Sequence, residues 1–177
     1  ALNRLKLRNV QAAAVAQVGR LALRKDSLDG LFSDALKIVC ETLSAEFAKV
    51  LEVRSGSQEL LLRAGQGWEN ATVGKSLVPA GLDSQAGYTL QTAAPVVVDD
   101  LRNESRFSGP ELLRQHHVIS GVSVLIGPRQ QPWGIFGTHS KRRGAFNSDD
   151  ANFVQAVANV LYAAIERQQK SDALRES

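Results

Sequence analysis

A chain of 177 residues with 44% hydrophobic content can bury a core in one domain, and its single cysteine excludes a disulfide framework, a CxxC redox pair and a thiolate metal site. A net charge of +3, from 21 basic and 18 acidic residues, is too mild to point to nucleic acid. No run approaches the roughly 18 apolar residues of a membrane span and no secretory signal opens the chain, so a cytoplasmic setting is expected. The start at Ala1 and the absence of Met suggest a fragment of a larger protein.

Residues 2–24 read as a helix, because Leu7, Val10, Ala14, Val18 and Leu21 recur at spacings of three and four. The stripe is narrow, which suits a seam to a partner helix better than a face laid on a sheet. Asp26 or Ser27 is a candidate cap for a second helix over 28–43, whose apolar face includes Leu31, Phe32, Ile38 and Val39. Cys40 falls on that face and is expected to be buried and inert.

Two strands are predicted over 47–53 and 59–64, joined by the turn Arg54-Ser55-Gly56-Ser57. A loop carrying Trp68 follows, then a short strand at 75–78 stopped by Pro79. A helix over 82–92, capped by Asp83 or Ser84, precedes a brief strand at 95–98. Residues 101–110 are irregular and polar, and 111–116 form one short helix. His116-His117 is no metal pair by this pattern, since adjacent helical residues diverge by about 100° and no third ligand is evident.

The clearest strand signal is ISGVSVLIGPRQQPWGIFGTHS at 119–140, a hairpin turning at 127–131. Alternation puts Ile119, Gly121, Ser123 and Leu125 on one face, with Trp133, Ile135, Gly137 and His139 from the second strand. Neither face is polar, so both are expected to be covered and the hairpin to lie inside the sheet. Gly121, Ser123 and Gly137 leave room beside His139, either as close packing around a satisfied core histidine, the reading the pattern favours, or as a recess suited to a small ligand. Lys141-Arg142-Arg143 is the one basic cluster, explained by a solvated turn at least as well as by a phosphate site. The last helix starts at a cap on Asn147 or Ser148, carries Asp149 and Asp150 in its first turn and meets no Gly or Pro before Ser177. The order of elements predicts an α+β fold with an antiparallel sheet.

PVVVDDLRNESRFSGPELL at 95–113, SGVSVLI at 120–126, WGIFGTHS at 133–140 and FNSDDANFVQAVANVLYAAIER at 146–167 together resemble the GAF domain family, sensing and dimerisation modules of signalling proteins. The resemblance implies a six-stranded antiparallel sheet with the terminal helices on one face and a ligand pocket under short helices and loops on the other. It implies a signalling helix at 1–24, the domain at 25–167 and the start of a connector at 168–177. The parent would be a bacterial histidine kinase or a diguanylate-cyclase-type regulator of a two-component system. The domain itself is expected not to be an enzyme: no nucleophile and base can be named, and the reductases of this family need several reactive cysteines. His139 stands where photoreceptor members set a histidine against a bilin. Ser108 and Ile119 replace their thioether cysteine and propionate-binding arginine, so a covalent bilin is not expected and the cofactor is left unknown.

The resulting expectation is a sensory domain binding an unidentified small molecule, with Asp100, Arg106, His117, Ser123 and His139 as candidate ligand-binding residues. Each has a competing structural role: Asp100 as a turn cap, Arg106 as partner of Asp99 or Glu104. A ligand-silent domain serving dimerisation and spacing is the alternative. A parallel homodimer through the terminal helices is expected, with Val157, Val160, Leu161 and Ala164 of the last helix contributing; no nucleic-acid partner is.

Overall fold

The computed structural model describes residues 2–24, 27–54, 59–69 and 71–176. Helices α1 (Leu2–Arg24) and α2 (Leu28–Leu43) precede strands β1 (Phe47–Val53), β2 (Glu59–Gln66) and β3 (Leu77–Pro79). Helix α3 (Gln85–Thr92), strand β4 (Val96–Val98), a 3-10 turn at Leu101–Asn103 and helix α4 (Glu111–Gln115) follow. The chain then makes the hairpin β5 (Ser120–Ile126) and β6 (Gly134–Ser140) and ends in α5 (Ser148–Glu176). All six strands join one antiparallel sheet ordered β3-β2-β1-β6-β5-β4, the α+β architecture that the sequence predicts.

Local chemistry sets the element ends. Ser27 caps α2, its Oγ accepting from the Gly30 amide, while the rival cap Asp26 lies outside the described residues. Ser84 caps α3 by the same contact to Gly87. At α5, Asn147 Oδ1 accepts from the Asp150 amide and Asp150 Oδ2 from the Asn147 amide, a reciprocal box that satisfies two amides at once. The predicted turn between β1 and β2 falls largely on residues 55–58, outside the described residues.

Side-chain alternation divides the sheet into two unlike faces. On one, Ala48, Val50, Ala64, Val122, Val124, Ile126 and Phe136 pack under α1, α2 and α5 as one continuous core. Cys40 belongs to it, and burial pushes its thiol up to about 12, which keeps it protonated. Trp133 departs from its predicted face. It precedes β6 and packs at 5.5 Å against Phe32 of α2, because strand alternation starts only at Gly134.

Helices α1 and α5 run side by side in the same direction. Arg4 pairs with Asp149 at 3.0 Å, Gln11 donates to Asp150 at 2.8 Å, and Arg167 reaches the Ala22 carbonyl at 3.3 Å. This pairing corrects the expected dimer seam. Ala14, Val18, Val157, Leu161 and Ala164 are buried within the domain's own core, whereas Leu7 and Val10 stay 60% and 53% exposed. One stripe therefore serves two purposes: its carboxyl-terminal half closes the core and its amino-terminal half faces outward. No described helix is long and apolar enough to cross a membrane.

Candidate functional site

The second face is covered by short elements, and here the apolar residues split into separate groups. Leu51, Leu60, Leu62, Leu125 and Ile135 form one; Phe47, Trp68, Leu113 and Val118 a second; Val96, Val98 and Phe107 a third. Strand register explains the division. Lys49, Gly137, Ser123 and Val96 lie in one row across β1, β6, β5 and β4, and Phe47, His139, Gly121 and Val98 in the adjacent row. A band of polar side chains and glycines therefore runs through a face that is otherwise apolar.

The two glycines give that band its shape. A Cβ at Gly137 would stand 3.0 Å from His139 Nε2 and 3.4 Å from Lys49 Cε, and one at Gly121 would overlap the His139 ring. The imidazole thus lies over Gly121 and the lysine chain beside Gly137, in space that any other residue would fill.

His139 is 1% exposed, and neither ring nitrogen has a hydrogen-bond partner among the described residues. Burial first, and the neighbouring Lys49 charge second, hold its pKa well below the usual imidazole range. The ring is therefore neutral at pH 7, with one N–H donor and one acceptor unsatisfied. Lys49 is 3% exposed, and burial lowers its amine to about 7. Its Nζ lies 5.2 Å from the centroid of the Trp68 ring, and no carboxylate pairs with it among the described residues. Thr89 of α3 approaches from above, its Oγ1 3.0 Å from Ser123 Oγ and 2.8 Å from the Gln85 carbonyl. Buried polar groups are ordinarily satisfied, so an amine without a carboxylate beside an imidazole without a hydrogen-bond partner is a costly arrangement.

Aromatic rings separate this pair from solvent. Trp68 packs edge-on to His139 at 5.8 Å, stacks on Phe47 at 4.7 Å and meets His116 at 5.2 Å. Trp68 Nε1 donates to the Ala48 carbonyl at 2.8 Å, which ties the loop after β2 to β1. Beyond the rings opens a cleft of about 410 Å³ whose lining includes Phe47, Gly67, His116, His117 and Lys141.

Of the five residues singled out from sequence, Ser123 and His139 lie on this face together. Asp100 caps the 3-10 turn and is held by Arg102 through Nε and Nη2, both at 2.9 Å. These bonds keep its carboxyl below the usual range. Arg106 pairs with Glu104, donates to the Val97 carbonyl at 2.8 Å and sits beside the Tyr88 and Phe107 rings, fastening this segment to the edge strand. His117 is exposed on the cleft rim with φ +59°, while its neighbour His116 turns inward. Sequence reasoning missed Lys49 and Trp68. The signal for Lys49 was present: a lysine two residues from Phe47 and from Leu51, hence on their face of an interior strand.

The fold is found in proteins of differing activity. The GAF domain of a phosphoenolpyruvate-protein phosphotransferase from Coxiella burnetii superposes with a TM-score of 0.83 at 17% identity, over 94% of this chain and 98% of that one. A segment of a methyl-accepting chemotaxis protein gives 0.71 at 16% identity, over 85% and 95%. The free methionine-R-sulfoxide reductase of Neisseria meningitidis gives 0.79 at 16% identity, over 93% of each chain. This last likeness overturns the expectation that the domain is no enzyme, because the same architecture also serves a reductase and one fold can host unlike chemistries. No curated protein matches the sequence. Residues 27–165 match the GAF domain model, and the chain belongs to the GAF domain family.

Proposed function

We propose that this is a sensory GAF domain of a multidomain cytoplasmic signalling protein, which binds a small molecule on the sheet face beneath α3 and α4. The observation that carries the reading is the buried neighbours Lys49 and His139: both imidazole nitrogens lack a hydrogen-bond partner among the described residues, and the amine meets the Trp68 ring but no carboxylate there. A ligand offering complementary atoms would recover that loss. Ser123 and His139 are the proposed floor of the site and Lys49 its charged wall. Asp100, Arg106 and His117 shape and fasten its margin.

The cover is light enough to open. Helix α4 has five residues and the 3-10 turn three, against 16 in α2 and 29 in α5, so few backbone hydrogen bonds resist local opening. Ligand binding would stabilise one arrangement of cover and sheet, and the shift would pass through the hairpin to α5 and to neighbouring domains. Residues 1–24 and 168–177 act as connectors around the domain, with a parallel homodimer formed through the outward half of α1.

A second reading has its own support. The His139 ring and the Lys49 chain already fill the space over Gly121 and Gly137, as expected of a ligand-silent domain used for dimerisation and spacing. Native mass spectrometry of the chain purified from its host separates the two. A retained small molecule, absent from a Lys49→Met, His139→Leu variant, supports the sensory reading. An empty protein whose melting temperature no metabolite extract raises supports the silent one.

A further inference from the structure

We propose that Lys49 and His139 form a recognition site for a small monocarboxylate with an apolar body, the carboxylate set against Lys49 Nζ and the body among the Trp68, Phe47 and Ile135 side chains. The inference rests on the sensory reading above and names the ligand class of that same site.

Charge is the first argument. Lys49 stands on an interior strand, 3% exposed, and of the carboxylates near it in sequence or at the margin of this face, Glu46, Glu52, Asp100, Glu104 and Glu111 are engaged elsewhere, while Glu69 lines the outer cleft. Glu46 accepts from Ser140 Oγ at 2.9 Å and from the Lys141 amide at 2.8 Å. Glu52 pairs with Arg63 at 3.1 Å, Asp100 with Arg102, Glu104 with Arg106 and Glu111 with Arg114. A buried ammonium without a counter-ion favours a ligand that supplies one. It also readily loses its proton, consistent with an amine lowered to about 7.

The number of charges decides the class. Among the described residues Lys49 is the one cation in these two rows of the sheet, and His139 beside it is held neutral. One negative charge cancels one positive charge, whereas a phosphate dianion would leave an excess charge out of water. The neutral imidazole contributes a ring N–H toward one carboxylate oxygen. His139 Nε2 and Lys49 Cε lie 3.0 and 3.4 Å from the position a Cβ would take on Gly137, so the two groups are neighbours over that glycine and a ligand reaching one also meets the other. Apolar surface flanks that spot on two sides, with Leu51 and Ile135 in the next row and Phe47 and Trp68 in the other direction. Access runs from the cleft, which shares Phe47 and His116 with the aromatic group against which Trp68 packs.

The test is calorimetric titration of the 177-residue chain with benzoate, benzamide and inorganic phosphate, repeated on Lys49→Met. Benzoate is expected to bind one per chain, with benzamide weaker by about tenfold or more, because it presents the same body without the charge. Lys49→Met should weaken benzoate about 30-fold or more and leave benzamide unchanged. On the wild type, ¹⁵N NMR of Lys49 Nζ should show the amine titrating at higher pH with benzoate present, a readout independent of any variant's folding. Equal affinity for benzoate and benzamide, tighter binding of phosphate, or a Lys49 titration indifferent to benzoate overturns the carboxylate assignment and leaves the sensory reading standing. Binding of none of the three overturns the carboxylate assignment, and the sensory reading is then decided by the native mass spectrometry above.

Discussion

His139 Nε2 and Lys49 Cε approach the same point above Gly137, at 3.0 and 3.4 Å from where a Cβ would stand. Gly137→Ala must therefore separate the imidazole from the lysine chain, although its backbone, unlike that of Gly127, lies outside the left-handed region. The expected cost is about 1–3 kcal/mol in urea unfolding, as for other overpacked interior sites. Gly121→Ala should cost more, because there the new methyl overlaps the imidazole ring itself. A wild-type midpoint for both variants would mean that the ring moves freely.

Lys49→Met should make the protein more stable. At pH 7 the native state carries a partly protonated buried amine that the unfolded chain holds in water, and methionine fills similar volume without charge. A gain of about 1–4 kcal/mol is expected. The sign of the pH dependence follows from linkage. The folded amine titrates at about 7 and the unfolded one near 10.5, so between these values the unfolded state binds more protons and stability rises with pH. Denaturant midpoints measured from pH 7 to 10 should climb for the wild type and flatten in Lys49→Met. Parallel profiles would place the amine in water.

The acid limb belongs to His139. Its folded pKa lies well below 6.5, so as pH falls through 6.5 the unfolded state takes up a proton that the native state refuses. Stability present above that pH is then lost on acidification. His139→Leu should remove this contribution and, by eliminating two unpartnered ring nitrogens, stabilise the fold at pH 7 by about 1–2 kcal/mol. Loss of stability at pH 7 would instead assign the imidazole hydrogen bonds that are made in solution.

On assembly, Leu7 and Val10 face outward while Val18 is fully buried, so glutamate at these positions should act differently. Leu7→Glu with Val10→Glu is expected to dissociate a dimer in sedimentation velocity without shifting the melting temperature. Val18→Glu should destabilise the monomer by roughly 3 kcal/mol or more, since it buries an unpaired charge. A wild type that sediments as a monomer at high concentration removes the helical interface.

Sequence alone determined the order of elements, most of their ends and the two faces of the central hairpin. Those features follow from local rules: a hydroxyl or amide one residue before a helix caps it, and a strand turns every second side chain to the same side. Cys40 could be placed in the core because its helix carries a clear apolar face. His139 and Ser123 could be singled out because both sit on the mixed face of one hairpin.

Tertiary structure decided the rest. Whether α1's stripe meets a partner or its own domain depends on the alignment of α1 with α5, set by pairs such as Arg4 with Asp149 across 145 residues. No local periodicity encodes that alignment. Lys49 became a site residue only when β1 paired with β6 and brought it across from Gly137, and Trp68 only when its loop folded back onto the Ala48 carbonyl. Chemistry assembled from distant strands is written in their register, and register becomes visible only once the strands have paired.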